Sequence, residues 1–196
     1  ATINGSLRFL LSQPDMNQGA HYFCGVCDAG AHIADMLVAD PAVRYYIASV
    51  ADPAVLDKLL AAGCDVHLWH VSPDSIRDDP QAVLDILDDA YAGNWHTIGG
   101  GCTMGLRWIN LGYFLGFRRF HLHGFDSSFR NGSTHAYPDR ADTKDHFEFK
   151  GRMTRPNFLA QVQDFFNVMD LMAILDPGLE FKIFGDGLLQ DECKPF

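Results

Sequence analysis

The sequence predicts an α/β protein with a Rossmann-like, doubly wound fold, a mostly parallel sheet carrying helices on both faces. Three observations predict it. Short runs rich in β-branched and aromatic residues alternate with helical patterns along the whole chain. Asp-Pro and Gly punctuate the boundaries between them. Strand, helix and strand repeated in this way imply right-handed crossovers and parallel pairing.

The elements follow in order. "ATINGSLRFLL" opens the chain without Met and reads as the last residues of a strand, so an upstream segment is expected to be missing. "HYFCGVCD", "RYYIASV", "DVHLWHV", "WHTIGG", "RFHLHGFD" and "LEFKIFG" read as strands. "HIADMLVAD", "DPAVLDKLLAAG", "DPQAVLDILDDAYAG" and "TMGLRWINLGYFLG" read as helices between them. Asp52-Pro53 and Asp79-Pro80 supply N-cap and first-turn signals, while Gly63, Gly93 and Gly116 stand where C-terminal caps belong. Residues 130–155 break the rhythm: they are polar, rich in His, Asp, Arg and Gly, and long enough to predict a lid-like loop. After Pro156, "NFLAQVQDFFNVMDLMAIL" predicts a long helix leading to the last strand.

Composition narrows the function. The chain has 196 residues, 47% of them hydrophobic, which suits one domain over 1–196 with a single core. A net charge of −10 removes the positive field that nucleic acid or an anionic membrane needs, so neither is expected as a partner and any phosphate must be gripped locally. The five cysteines are odd in number and scattered, which suggests packing thiols in a reducing cytoplasm. Cys24 and Cys27 have C-x-x-C spacing but no second pair to complete four metal ligands. No long apolar run or leader peptide stands out, and a soluble, cytoplasmic protein without a membrane span is expected.

In open parallel sheets, ligands bind beyond the carboxyl ends of strands, which directs attention to four places. These are Asn4-Gly5-Ser6, Asp28-Ala29-Gly30, the run Gly99-Gly100-Gly101-Cys102-Thr103, and Gly124-Phe125-Asp126-Ser127-Ser128. The glycine run fits an anion or nucleotide, because backbone without Cβ approaches a ligand closely and the following helix presents unpaired N–H groups. Thr103 can cap that helix and donate to a phosphate, and Gly105 continues the turn. A tight strand-to-helix turn explains the same residues equally well, since neither a P-loop nor G-x-G-x-x-G is present. A branched side chain at Gly101 is expected to abolish nucleotide binding while sparing the fold. Asp28 and Asp126 could shape a ligand's floor, hold a metal, or cap helices. His121 and His123 share one strand face, with no third metal ligand placed by spacing. His135 and His146 lie in the polar loop, where a general acid or base could be delivered. Lys150, Arg152 and Arg155 form the compact basic cluster of an acidic chain, which could neutralise a phosphate.

The run "GGGCTMGLRWINLGYFLGFRRFHLHGFDSSF" followed by "HAYP" resembles the signature of the 6-hydroxymethylpterin diphosphokinase-like domains, which also occur within motility-associated flagellin glycosyltransferases. The same stretch is similar to bacterial sialyltransferases of the Campylobacter type. The likeness is close over residues 97–139 and loose over 1–96. Both families are Rossmann-like nucleotide-dependent transferases, and both place a Gly-rich loop on a strand ahead of the point where this chain starts. The resemblance implies that Asn4 and the turn at Thr103, Met104 and Gly105 touch a cytidine nucleotide. It departs at the sialyltransferase tyrosines, which stand here as Phe129 and His135, and at the catalytic histidine, which falls near Arg152 with His146 nearby.

The favoured function is therefore a nucleotide-dependent group transferase, a glycosyltransferase with a cytidine-activated, sialic-acid-like donor and a small-molecule or glycan acceptor. Asn4, Ser6, Gly100, Gly101, Cys102, Thr103, Gly105 and Ser127 are expected around the nucleotide, with Asp28 and Asp126 beneath it. His135 or His146 would act as acid or base, and Arg152 would steady the departing phosphate. One alternative is diphosphate transfer from ATP to a pterin-like alcohol, with Mg²⁺ held by Asp28 and Asp126; apart from that, no cofactor is expected. Another is a non-catalytic nucleotide-binding module.

Overall fold

The computed structural model describes residues 2–3, 6–12, 21–72, 80–129 and 145–193. The chain falls into two compact units, Ala1–Gly99 and Gly100–Phe196.

In the first unit, strands β1 (Thr2–Ile3), β2 (Tyr22–Val26), β3 (Val43–Ala48), β4 (Asp65–Val71) and β5 (Thr97–Ile98) form a parallel sheet in that order. Helices α1 (Ser6–Leu11), α2 (His32–Met36), α3 (Pro53–Ala61) and α4 (Pro80–Tyr91) connect them. The central strand β3 buries five of its six residues, all but Arg44. Cys24, Val26, Val43, Tyr45 and Ile47 pack with Leu7 of α1, Ile33 of α2 and Val55 and Leu59 of α3 in one core cluster. Strands added always in the same direction through right-handed crossovers carry their helices to the same face, which is where these side chains meet. The expected covering of both faces needs a reversal of strand order, which β1 to β5 do not make. Across β2, β3 and β4, Phe23, Tyr46 and His67 form an aromatic row, with Tyr46 and His67 stacked at 5.2 Å.

Local signals account for the ends of α3. Asp52 accepts from the Ala54 N–H at 2.9 Å with Pro53 at the first helical position, and Gly63 follows the helix at φ +71°. Lys58 reaches back to α2, where its Nζ donates to the carbonyls of Ala34 and Leu37 at 2.6 and 2.8 Å. Those carbonyls belong to the last turn of a five-residue helix that has few bonds of its own. The opening "SLRFLL" forms helix α1 rather than continuing a strand.

In the second unit, α5 (Met104–Phe114) leads to β6 (Arg119–His123), and a hairpin of β7 (Phe147–Phe149) and β8 (Arg152–Thr154) precedes α6 (Pro156–Leu175). Strand β9 (Glu180–Phe184) pairs parallel with β6, and the short α7 (Leu188–Glu192) closes the unit. Phe120 and Leu122 of β6 point inward to Leu106 and Ile109 of α5 and to Val162, Phe165, Val168 and Met172 of α6. His121 and His123 share the opposite, exposed face of the strand, as the alternation implied, and His123 stacks on Phe184 at 4.5 Å. Among the described residues α6 is long and apolar enough to cross a membrane, with a mean hydropathy of 1.3, yet one side of it lies in this core.

The expected loop at 130–155 is partly regular. Residues 130–144 lie outside the described residues, but 147–154 form the antiparallel hairpin, turned by Lys150 and Gly151 at φ +50° and +74°. Two successive positive φ values match the twist of a two-residue hairpin. A non-glycine residue in the first of those positions hides the turn from a sequence reading. Tail residues 188–192, too short to interpret from sequence, form α7, and its Leu188 and Leu189 are fully buried.

Candidate functional site

The glycine turn is built by backbone conformation. Gly100 and Gly101 adopt φ +118° and +75°, which L side chains rarely tolerate, in the turn that precedes α5. A Cβ at Gly101 would lie 2.7 Å from Leu106 Cδ1 and 2.9 Å from Asp164 Cβ. Gly101→Val therefore breaks the packing under the turn, so it cannot serve as a binding probe that spares the fold.

The anion at this turn is one that the chain itself supplies. Asp164 of α6 accepts from the Cys102 N–H at 2.8 Å, and the Cys102 thiol points at the Asn157 carbonyl, 3.7 Å away. Burial first, and then the hydrogen bond and charge of Asp164, push that thiol up to about 11. Asp164→Asn keeps an acceptor for the N–H but removes the charge. The expected result is a lower thiol pKa, read as an earlier midpoint in the pH profile of Cys102 alkylation by iodoacetamide, with burial holding part of the shift. An unchanged midpoint would show that Asp164 does not govern the thiol.

Thr103 stands at the N-cap of α5 with extended backbone, but its side chain makes no capping bond. Its Oγ1 is buried and has no hydrogen-bond partner among the described residues. The helix that starts there leaves its first N–H groups without intrahelical acceptors. Gly105, expected to let backbone approach a nucleotide, has another role: a Cβ there would strike the Phe125 ring, so its smallness seats α5 on the segment after β6.

Beyond the carboxyl ends of β6 and β9, Asp126 and Ser127 meet the Gly185-Asp186-Gly187 turn. The Asp126 carbonyl accepts from the Leu189 N–H at 3.2 Å, and its buried Oδ1 has no partner among the described residues. Side chains at Gly185 or Gly187 would collide with Asp126. Ser127 adopts φ +54°, and its carbonyl accepts from Thr154 Oγ1 at 2.8 Å.

The basic cluster is engaged by acids and aromatic rings. Arg152 donates from Nε to Asp191 and from a terminal nitrogen to Asp186, at 2.8 and 2.7 Å, which raises its pKa above the ordinary arginine value. Lys150 pairs with Glu192 at 2.7 Å, and Arg155 lies over the Phe158 ring at 4.3 Å. These pairs tie the hairpin to α7 and to the β9 turn. His146 packs on Phe129, ring centroids 4.4 Å apart.

In the first unit, Asp28 accepts from the Gly30 N–H at 2.8 Å, closing the loop between β2 and α2, and Ser6 is the exposed first residue of α1. Asn4 and His135 lie outside the described residues. Among the described residues no three His, Cys, Asp or Glu side chains converge as metal ligands.

Two groupings were not anticipated. Asp164 gave a weak signal, an acid inside an apolar helical pattern. Ser49 and His70 are each the last residue but one of a predicted strand, but only the pairing of those strands brings them together: His70 Nδ1 lies 2.9 Å from Ser49 Oγ.

Parallel strands joined by helices, with glycine and acid-bearing turns at their carboxyl ends, define a mixed α/β protein loosely compatible with a Rossmann-like fold. No family model, curated protein or solved structure matches the chain.

Proposed function

We propose that the protein is a nucleotide-dependent group transferase whose donor phosphate is received at the start of α5. The idle Thr103 hydroxyl carries this reading. An N-cap threonine normally stabilises its helix by bonding an unpaired N–H, yet this one is buried without a partner among the described residues. A buried hydroxyl with nothing to bond costs about 1–3 kcal/mol, a cost that a ligand oxygen would remove. Asp164 holds the Cys102 N–H, which leaves the first-turn N–H groups of α5 and the Thr103 hydroxyl as the donor set for an anion.

The favoured donor is a cytidine-activated, sialic-acid-like sugar and the acceptor a small molecule or glycan, on the resemblance over residues 97–139. On the same resemblance, the chain would carry the finer, doubly wound form of a Rossmann-like fold. His135 or His146 would remove the acceptor's proton. Arg152 would reach the phosphate only by giving up Asp186 or Asp191.

Thermal shifts with CMP, CDP, UDP, ATP and GTP, each with and without Mg²⁺, test this directly, because a ligand bound only by the native state raises Tm. The cytidine nucleotides are expected to raise the Tm of the wild type. Thr103→Val should leave the ligand-free Tm unchanged or higher, since no capping bond is lost, and weaken nucleotide binding by about tenfold or more. Absence of any nucleotide shift, or an equal shift in the variant, would overturn the proposal.

A further inference from the structure

We propose that Ser49 is a nucleophile with His70 as its general base, forming an acyl-transfer site in the first unit for substrates that carry an activated ester or thioester. The site is independent of the nucleotide reading.

Strand register creates it. Ala48 of β3 pairs with Trp69 of β4, so the next residues, Ser49 and His70, stand side by side at the carboxyl edge of the central strand. The Ser49 N–H donates to the Trp69 carbonyl at 2.8 Å, which holds the serine backbone in place. His70 is 7% exposed and rests against Tyr91, the last residue of α4, with ring centroids 5.0 Å apart. The imidazole is thus fixed in orientation, and burial lowers its pKa below the ordinary histidine value, which keeps it neutral and able to accept a proton. Ser49 is exposed, so an incoming carbonyl can reach the hydroxyl that the buried base touches. Val50 directly follows, and its N–H has no hydrogen-bond partner among the described residues. The N–H of the residue after a nucleophile, at a turn from strand to helix, is one place from which an oxyanion is stabilised. The carboxyl end of a parallel sheet is also where open α/β folds place their ligands.

The chemistry balances with these groups and water. The Ser49 Oγ proton passes to His70 Nδ1 as Oγ bonds to the acyl carbon. The bond from that carbon to the leaving oxygen or sulfur breaks, and the leaving group takes the proton from His70. Water then attacks the acyl-serine, again giving its proton to His70, and Ser49 is released with the carboxylic acid. A serine and histidine that merely finished the pairing of two strands would share the same hydrogen bond but not this reactivity.

The test uses p-nitrophenyl acetate on the full chain, following nitrophenolate release and locating the acetyl group by peptide mass spectrometry. A burst is expected, with the acetyl on the peptide that contains Ser49. Ser49→Ala, a small change at an exposed position, should abolish both. His70→Gln, checked for folding by circular dichroism, should slow acylation by about a hundredfold or more. Acetylation of other residues only, or release that is unchanged in Ser49→Ala, would overturn the proposal.

Discussion

Leu106→Ala is expected to lower stability by about 2–5 kcal/mol, the range for emptying a fully buried leucine position whose surroundings relax only in part. Leu106 is 0% exposed and sits where three parts of the second unit converge. It packs with Ile109 of its own helix, with Phe120 and Leu122 of β6, and with the inward face of α6. Its Cδ1 also lies under Gly101, so no nearby side chain can move in without disturbing the glycine turn. Phe114, on the same helix but 58% exposed, is the control: Phe114→Ala should change stability by no more than about 0.5 kcal/mol, as surface substitutions usually do. Denaturant unfolding of both variants gives the comparison, read from midpoints at constant slope. Equal losses for Leu106 and Phe114 would mean that the core of this unit is not packed as described.

Tyr45→Phe is expected to cost about 1–3 kcal/mol although it removes a single oxygen. The Tyr45 hydroxyl donates to the Val38 carbonyl at 2.7 Å and accepts from the Asp40 N–H at 2.9 Å, tying the segment after α2 to β3. Phenylalanine fills the ring's space but leaves both backbone groups without that partner. The same burial gives a pH signature. Tyr45 is fully buried, and desolvation raises its pKa from 10.0 to about 12. A raised folded pKa means that the native state keeps a proton that the unfolded chain gives up. This contribution is intact below pH 10 and is lost as pH rises toward 12. Wild-type stability should therefore fall with pH in that window, and Tyr45→Phe should flatten the fall. Parallel slopes for the two proteins would show that another group controls alkaline unfolding.

Periodicity and punctuation made the long elements legible. The helix from Pro156 to Leu175, the strands β2, β3, β4, β6 and β9, and the caps at Asp52 and Gly63 all follow from signals carried within a few residues. Short elements escaped because their stability comes from partners distant in sequence. The β7–β8 hairpin reads as a polar loop, and α7 has only five residues, held by Leu188 and Leu189 in a core assembled from α5, α6 and β6.

By itself the sequence determined which of the longer segments become strands or helices, since backbone preference and the spacing of apolar residues act locally. It also determined that acidic charge outweighs basic, and that glycines stand at the turn before α5. Only the tertiary structure decided which charges meet. Arg152, a phosphate ligand when read along the chain, lies between Asp186 and Asp191, more than thirty residues away in sequence. Asp164 takes the turn's N–H from 62 residues away. Strand register set Ser49 beside His70, because a shift of one residue would have sent one of the two side chains to the other face of the sheet. The physical reason is one of range: propensities are settled within a turn or two of chain, whereas ion pairs, capping carboxylates and nucleophile–base contacts exist only once the chain has paired and packed.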